Sequence, residues 1–185
     1  MDSSRRIRAR VVTTHLELTA PAQLRPAAAA RPPYELRRVE RPNPEYNRFL
    51  YRAVGGGWYW LSRIDWPRER WLAYLSRPQL ETWVAYVAGA PAGYCELEAQ
   101  AAGATEIVYF GLLPEFVGAG LGGALLTDAV RRAWANGARR VWLHTCNLDH
   151  PHALAHYRAR GFTVCKVEET EEEIPVVSPD YWQFA

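Results

Sequence analysis

The stretch EIVYFGLLPEFVGAGLGG, residues 106–123, decides the reading of this 185-residue chain. It passes from a strand-like segment through a short turn into four glycines and then into an amphipathic segment that ends near Asn136. Gly118, Gly120, Gly122 and Gly123 carry no side chain to shield the backbone, so successive N–H groups can close around a phosphate at the positive end of a helix. From Gly120 onward, Leu121, Leu125, Leu126, Ala129, Val130, Ala133 and Trp134 make one apolar face at helical spacing. Asp128, Arg131, Arg132 and Asn136 fall opposite, and Gly137 supplies the stop. A Walker A loop is excluded, because Ala124 and Leu125 stand where Lys and then Ser or Thr are required. A dinucleotide fingerprint fits loosely: the glycines lie mid-chain after antiparallel strands, with no acidic residue placed for a ribose. A purely structural turn is the remaining alternative, although four glycines in six residues cost folding entropy that a plain connection does not need.

Working outward, the chain length suits one domain with a real core, and 49% of its residues are apolar. A formal charge of +2 is too small to argue for a nucleic-acid partner. The run Arg5, Arg6, Arg8, Arg10 reads as a solvated tail. No apolar stretch reaches the roughly 18 residues of a membrane span, and the first residues lack the apolar core of a signal peptide. Cys95, Cys146 and Cys165 match no metal spacing and read as reduced thiols, so a soluble, cytoplasmic protein without a metal is expected.

Upstream, residues 11–19 read as a strand and residues 20–33 as an irregular Ala/Pro-rich connection. The expected layout is therefore a tail, first strand and connection over 1–33, packed on the domain that 34–185 forms. Residues 34–39 read as a second strand. Asn43-Pro44 opens a helix over 45–54, with the Asn side chain as cap and the proline at the first helical position. The segment GWYWLSRIDWPRERWLAYL is dense in tryptophan. It reads either as an aromatic sub-core under a helix over 67–75 or as the wall of an acceptor pocket. Strands follow over 82–88, 94–98 and 105–113, the first two joined as a hairpin. Beyond the long helix come a strand over 140–146, a short helix over 152–160 and a strand over 162–167. The acidic run 168–173 reads as a solvated turn or strand end. The helix that joins strands 105–113 and 140–146 makes them parallel neighbours with a right-handed crossover, so a ligand of the glycine turn lies at the carboxyl end of the first.

Residues 106–123, continued by LLTDAVRRAWANGARRVWLHTC and ALAHYRARGF, resemble the GNAT acyl-CoA N-acyltransferase family over residues 34–167. The family's pyrophosphate loop is Gln or Arg, two residues, Gly, one residue, Gly or Ala. It maps onto Val117, Gly118, Ala119, Gly120, Leu121 and Gly122, with Val117 departing from the pattern. A second signature matches Ala153, Tyr157, Gly161 and Phe162, while His150 stands where many members carry Asn for the pantetheine arm. The resemblance implies an α/β mixed sheet, mostly antiparallel, with one splayed parallel pair and helices on both faces. It implies acetyl-CoA as cosubstrate, Phe110 and Leu112 along the pantetheine arm, and the segment from Val117 to Gly123 on the pyrophosphate. It implies Glu106 as general base, directly or through water, and Tyr157 as general acid toward the departing thiolate. Glu106 as an ordinary strand carboxylate and Tyr157 as a buried aromatic are the structural alternatives.

The expected activity is acetyl transfer to a primary amine of a small molecule in a ternary complex. Tyr59, Trp60 and Arg63 are the expected acceptor walls, and Glu96 is a further acceptor contact. The acceptor is expected between the front helices, the hairpin and the C-terminal loop. A homodimer is common among proteins of this resemblance. The rivals are protein lysine or N-terminal acetylation and a non-catalytic acyl-CoA-binding module. Glu96 or Glu98 could replace Glu106 as base. His150 and His152 read as flanking a helix start, and His144, His15 and Cys146 are weaker candidates still.

Overall fold

Local sequence signals seat the helices. In this computed structural model, which describes residues 5–178, Asn43 accepts the Tyr46 N–H at 3.0 Å through Oδ1, and Pro44 stands at the first position of α1 (Pro44–Gly55). A second helix, α2 (Arg68–Leu75), follows Pro67. The long helix α3 (Leu121–Ala135) starts from Gly120, and the short α4 (Ala153–Ala159) lies between the last two strands.

Seven strands form one sheet: β1 (Arg6–Leu18), β2 (Glu35–Arg38), β3 (Leu80–Val87), β4 (Ala90–Ala99), β5 (Ala104–Leu112), β6 (Arg140–Cys146) and β7 (Thr163–Pro175). Their order is β2-β3-β4-β5-β6-β1-β7, and every neighbouring pair is antiparallel except β5 and β6. This is the mixed sheet with one parallel pair that the crossover argument requires. Alternation along β4 assigns the two faces. Cys95 and Leu97 pack with Leu126, Ala129, Val130 and Ala133 of α3 and with Tyr157 of α4. Tyr94 points the other way, to Leu50 and Val54 of α1. Tyr51, Trp71, Leu75 and Leu80 form a further cluster between α1 and α2.

Two expectations change. β1 begins at Arg6, so most of the arginine run is strand, and β7 continues through the acidic run to Pro175. The reason is mutual. Arg8 lies opposite Glu173, Arg10 opposite Glu171, and the Arg10 Nε donates to Glu169 at 2.9 Å. Neither run shows its partner locally. The first strand therefore sits inside the sheet, between β6 and β7. The connection over 20–33 is irregular as expected, with one short turn at Pro21–Gln23. It lies on the α3 and α4 side, where Ala27 N–H donates to Thr127 Oγ1 and Tyr34 O–H to Asp128. Residues 1–4 of the expected tail, and residues 179–185 with the end of the C-terminal loop, lie outside the described residues. No described helix is long and apolar enough to cross a membrane.

Candidate active site

The site begins where a pairing stops. β5 and β6 are in register only from Ala104↔Arg140 to Glu106↔Trp142, and beyond that point they diverge. Each strand keeps its other neighbour: β5 remains on β4 as far as Leu112, and β6 remains on β1 as far as Cys146. The fork opens into a cavity of about 800 Å³. Its walls run from Gly118, Gly120, Gly122 and Gly123, past Phe110, Leu112 and Tyr157, to Tyr59 and Trp60.

β5 carries a bulge that decides which side chains face which layer. Glu96 pairs with Tyr109 and Leu97 with Ile107, so Val108 is the extra residue. Ile107 and Phe110 therefore both face α3 and α4, while Tyr109 faces α1 and α2. The Leu113 N–H donates to Ala92 O at 2.9 Å. By alternation the N–H groups of Leu112 and Phe110 turn away from β4, into the fork.

At the glycine turn, Gly118 and Gly120 hold φ of +90° and +77°, the left-handed backbone that favours glycine. No side chain caps α3, so its first N–H groups are left for a ligand, and the 15-residue helix adds its dipole. These features fit a phosphate-bearing ligand. Gly123 has a packing role as well, since a Cβ there would lie 2.9 Å from the Ala27 Cβ. Leu121 is buried in the core of α3 and would offer its backbone alone; Ala119 is not on the cavity wall. Val117 is on the wall and exposed, so its apolar side chain offers no polar contact there.

Tyr157 faces the same cavity, edge-on to Phe110 at 6.2 Å between ring centroids. Burial, and then the Asp149 carboxylate, push its hydroxyl pKa well up, so it holds its proton. Asp149 is itself fixed by the Thr145 hydroxyl at 2.7 Å and the Cys146 N–H at 3.1 Å. His150 lines the cavity and meets Trp58 edge-on at 4.8 Å, which joins the aromatic segment to the loop before α4. His156 stacks on Phe110 at 5.9 Å, and burial lowers its pKa.

Besides Ala119 and Leu121, three expected site residues are off the wall. Arg63 and Glu96 do not line the cavity. They form an ion pair at 2.8 Å with side-chain exposures of 6% and 1%, and Tyr74 O–H and Asn47 Nδ2–H also donate to Glu96. The Arg63 guanidinium lies 4.4 Å from the Tyr109 ring centroid and 3.9 Å from that of Tyr74. The pair thus backs the cavity from behind Tyr109, and its charges are spent on each other. Glu106 is likewise off the wall: its Oε2 accepts from Gln100 Nε2 at 2.7 Å, and its Oε1 lies 3.5 Å from His144 Nδ1. His144 is on the wall. The far end is bounded by Arg6, Glu172 and Glu173, which the sequence reads as a solvated tail and as a turn or strand end.

The model of the acetyltransferase (GNAT) family matches residues 40–162. The chain belongs to the GNAT acetyltransferase family. Solved structures of similar fold include GCN5-related N-acetyltransferases from two organisms. That from Sphaerobacter thermophilus has 20% identity and a TM-score of 0.63, over 94% of this chain and 53% of that one. That from Kribbella flavida has 19% identity and a TM-score of 0.62, over 91% and 60%. An aminoglycoside acetyltransferase from an uncultured soil metagenomic sample, in complex with sisomicin, is similar at 16% identity and a TM-score of 0.57, over 69% and 86%. This GNAT chain spans about half to two thirds of the length of the first structures it matches. No curated protein matches it.

Proposed function

We propose that this GNAT domain transfers the acetyl group of acetyl-CoA to a primary amine of a small molecule, by direct attack in a ternary complex. The observation that carries the reading is the continuity of one cavity from the glycine turn, through the fork, to the aromatic walls of Tyr59 and Trp60. Gly118, Gly120, Gly122 and Gly123 would hold the pyrophosphate, and Phe110 and Leu112 the pantetheine arm. The Phe110 N–H would stabilise charge on the thioester oxygen. His150 takes the place beside the arm. Tyr157, held protonated by its burial, gives a proton to the departing thiolate, and Glu106 supplies the negative charge that draws the proton from the amine. Enclosure by Trp58, Tyr59, Trp60 and Tyr109 favours a small acceptor over a protein tail. The similar aminoglycoside acetyltransferase lends support to such a class. Free Cys95, Cys146 and Cys165 fit a cytoplasmic setting.

The test is thiol release from acetyl-CoA over a panel of amines, amino acids and lysine peptides, with Glu106→Gln and Tyr157→Phe beside the unaltered chain. Turnover of a small amine, cut at least about tenfold by either change, is expected, since acid–base groups contribute about 10²–10⁴-fold. Tight acetyl-CoA binding without turnover of any acceptor would leave a binding module instead.

A further inference from the structure

The acceptor half of the cavity lies on the α1 and α2 face of the sheet, the face to which Tyr109 points. A group that deprotonates the amine must stand on that face, beside the fork and open to the cavity. Glu106 meets the first two conditions and fails the third: its side chain is 13% exposed and is not part of the wall. His144 meets all three. It follows the last β5–β6 pair by two residues, it lies opposite in alternation to the buried Leu143 and Thr145, and 46% of its side chain is open. Of the other titratable wall residues on the fork, Tyr109 shares a hydroxyl–hydroxyl hydrogen bond with Ser62 at 2.8 Å, and burial pushes the Cys146 thiol pKa up. Asp149 accepts from Thr145 and Cys146, and Tyr157 and His156 stand on the α4 side against Phe110.

The partners of Glu106 bear on His144. Trp142 Nε1 donates to Gln100 Oε1 at 3.0 Å, and Gln100 Nε2 donates to Glu106 Oε2 at 2.7 Å. This holds the carboxylate with its other oxygen toward His144 Nδ1, at 3.5 Å. An imidazole that donates Nδ1–H to a carboxylate keeps its lone pair on Nε2, the tautomer a general base requires.

We propose that His144, oriented by Glu106, is the group that takes the proton from the acceptor amine. The proposal rests on the acetyl-transfer reading and refines which residue touches the substrate. In it Glu106 is a positioning residue. The acceptor ammonium gives one proton to His144 Nε2, and the freed nitrogen pair forms the C–N bond at the thioester carbonyl. The C–S bond breaks, and the thiolate sulfur takes the Tyr157 hydroxyl proton. The second amine proton returns to the Tyr157 oxygen through solvent, so one proton leaves per amide and thiol formed. The hydrogen bond to Glu106 and the charges of Glu106 and Asp149 raise the His144 pKa, against burial. The other groups near it are His15 of β1, with ring centroids 5.6 Å apart, and Glu168 of β7, which contacts both His15 and Lys166. Arg6, Glu172 and Glu173 bound the far wall.

The experiment is the pH dependence of kcat/KM for acetyl-CoA with sisomicin, spermidine and phenethylamine as acceptors, for the unaltered chain, His144→Gln, His144→Ala and Glu106→Gln. Ionisation of each free amine is common to all variants, so differences between them are the readout. Both His144 variants are expected to lose about 10²–10⁴-fold and the acid limb that distinguishes them from the unaltered chain. Glu106→Gln is expected to keep that limb and move it to lower pH, with the plateau above it cut at least about tenfold because the ring is no longer held in place. NMR titration of the His144 ring, assigned by its loss in His144→Gln, should show the same downward move in Glu106→Gln. Retention of the limb in His144→Ala together with its loss in Glu106→Gln overturns the proposal and makes Glu106 the direct base, with acetyl transfer intact. An unaltered chain that binds acetyl-CoA and acetylates no amine overturns both readings at once.

Discussion

Replacing Arg63 by Met tests whether the buried pair is scaffold or acceptor site. The substitution keeps an apolar stem of similar length and removes the guanidinium. It leaves the Glu96 carboxylate, 1% exposed, with only the Tyr74 O–H at 2.8 Å and the Asn47 Nδ2–H at 3.4 Å. Breaking a buried pair in this way costs about 3–5 kcal/mol. Loss of the contacts between the Arg63 cation and the Tyr74, Tyr109 and Trp66 rings acts in the same direction. In a chain of this length each kcal/mol moves the midpoint by about 2–4 °C, so Tm should fall by about 6–20 °C. Adding Glu96→Gln to Arg63→Met removes the unpaired charge and should restore most of that loss. The two sites therefore show a coupling well outside additivity. Thermal and urea unfolding of the single and double variants supply the cycle, and KM for the amine is measured on each. An unchanged Tm for Arg63→Met, with a raised KM for the amine, would refute this reasoning and return Arg63 to the acceptor wall.

Three further outcomes follow from particular contacts. Gly161 has φ of +96°, and a Cβ there would lie 1.9 Å from the Gln23 carbonyl oxygen, so Gly161→Ala should cost about 2–5 kcal/mol; an unmoved urea midpoint contradicts it. At Gly120 a Cβ would meet open space, so Gly120→Ala strains the backbone alone, by about 1–2 kcal/mol. If that strain falls on the turn, KM for acetyl-CoA rises about 5- to 30-fold, and an unchanged KM removes the turn from the cosubstrate site. Because the His144 pKa is raised in the fold, its pairing with Glu106 adds stability in full below the ordinary imidazole range and loses it as pH rises through the folded value. Glu106→Gln should therefore destabilise the chain more at pH 6 than at pH 9, by about 0.2–1 kcal/mol for a pair whose histidine is 46% open. Equal urea midpoints shifts at the two pH values contradict the pairing.

What could be read from the sequence was what is local. Asn43 and Pro44 announce α1 by their own chemistry, and the apolar stripe from Leu121 to Trp134 announces α3 by its period. The glycines mark the turn at the carboxyl end of β5 for the same reason. What could not be read depends on partners far along the chain. The acidic run of β7 becomes a strand because Arg8 and Arg10 of β1 lie across from it, and nothing within either segment reveals that. Glu96 and Arg63 look like polar ligands among aromatics until folding brings them within 2.8 Å of each other. The bulge at Val108 is invisible in the alternation of IVYFG, yet it puts Ile107 and Phe110 on the same face and sends Tyr109 to the other. His144 reads in the sequence as a strand histidine near the cleft, but that Glu106 stands 3.5 Å from it is a property of the sheet.

The fork itself follows from how the sheet pairs. β6 holds antiparallel register with β1 from Val141 to Cys146, and β5 holds it with β4 from Thr105 to Leu112, so each strand is anchored on one edge. Only three residues of each, ending at Glu106 and Trp142, pair with one another. Beyond them the facing edges carry backbone N–H and C=O groups that no neighbouring strand takes up, and such groups are costly to shelter from water without partners. A fold that keeps these two edges apart over the length of a cavity therefore favours an occupant that is extended and bears amides of its own. The proposed function adds an anion at the glycine turn, a leaving group beside a tyrosine that burial keeps protonated, and an amine on the face of His144 and Glu106. In the proposed function, acetyl-CoA and a small amine are the pair that takes these places in the order in which the cavity presents them.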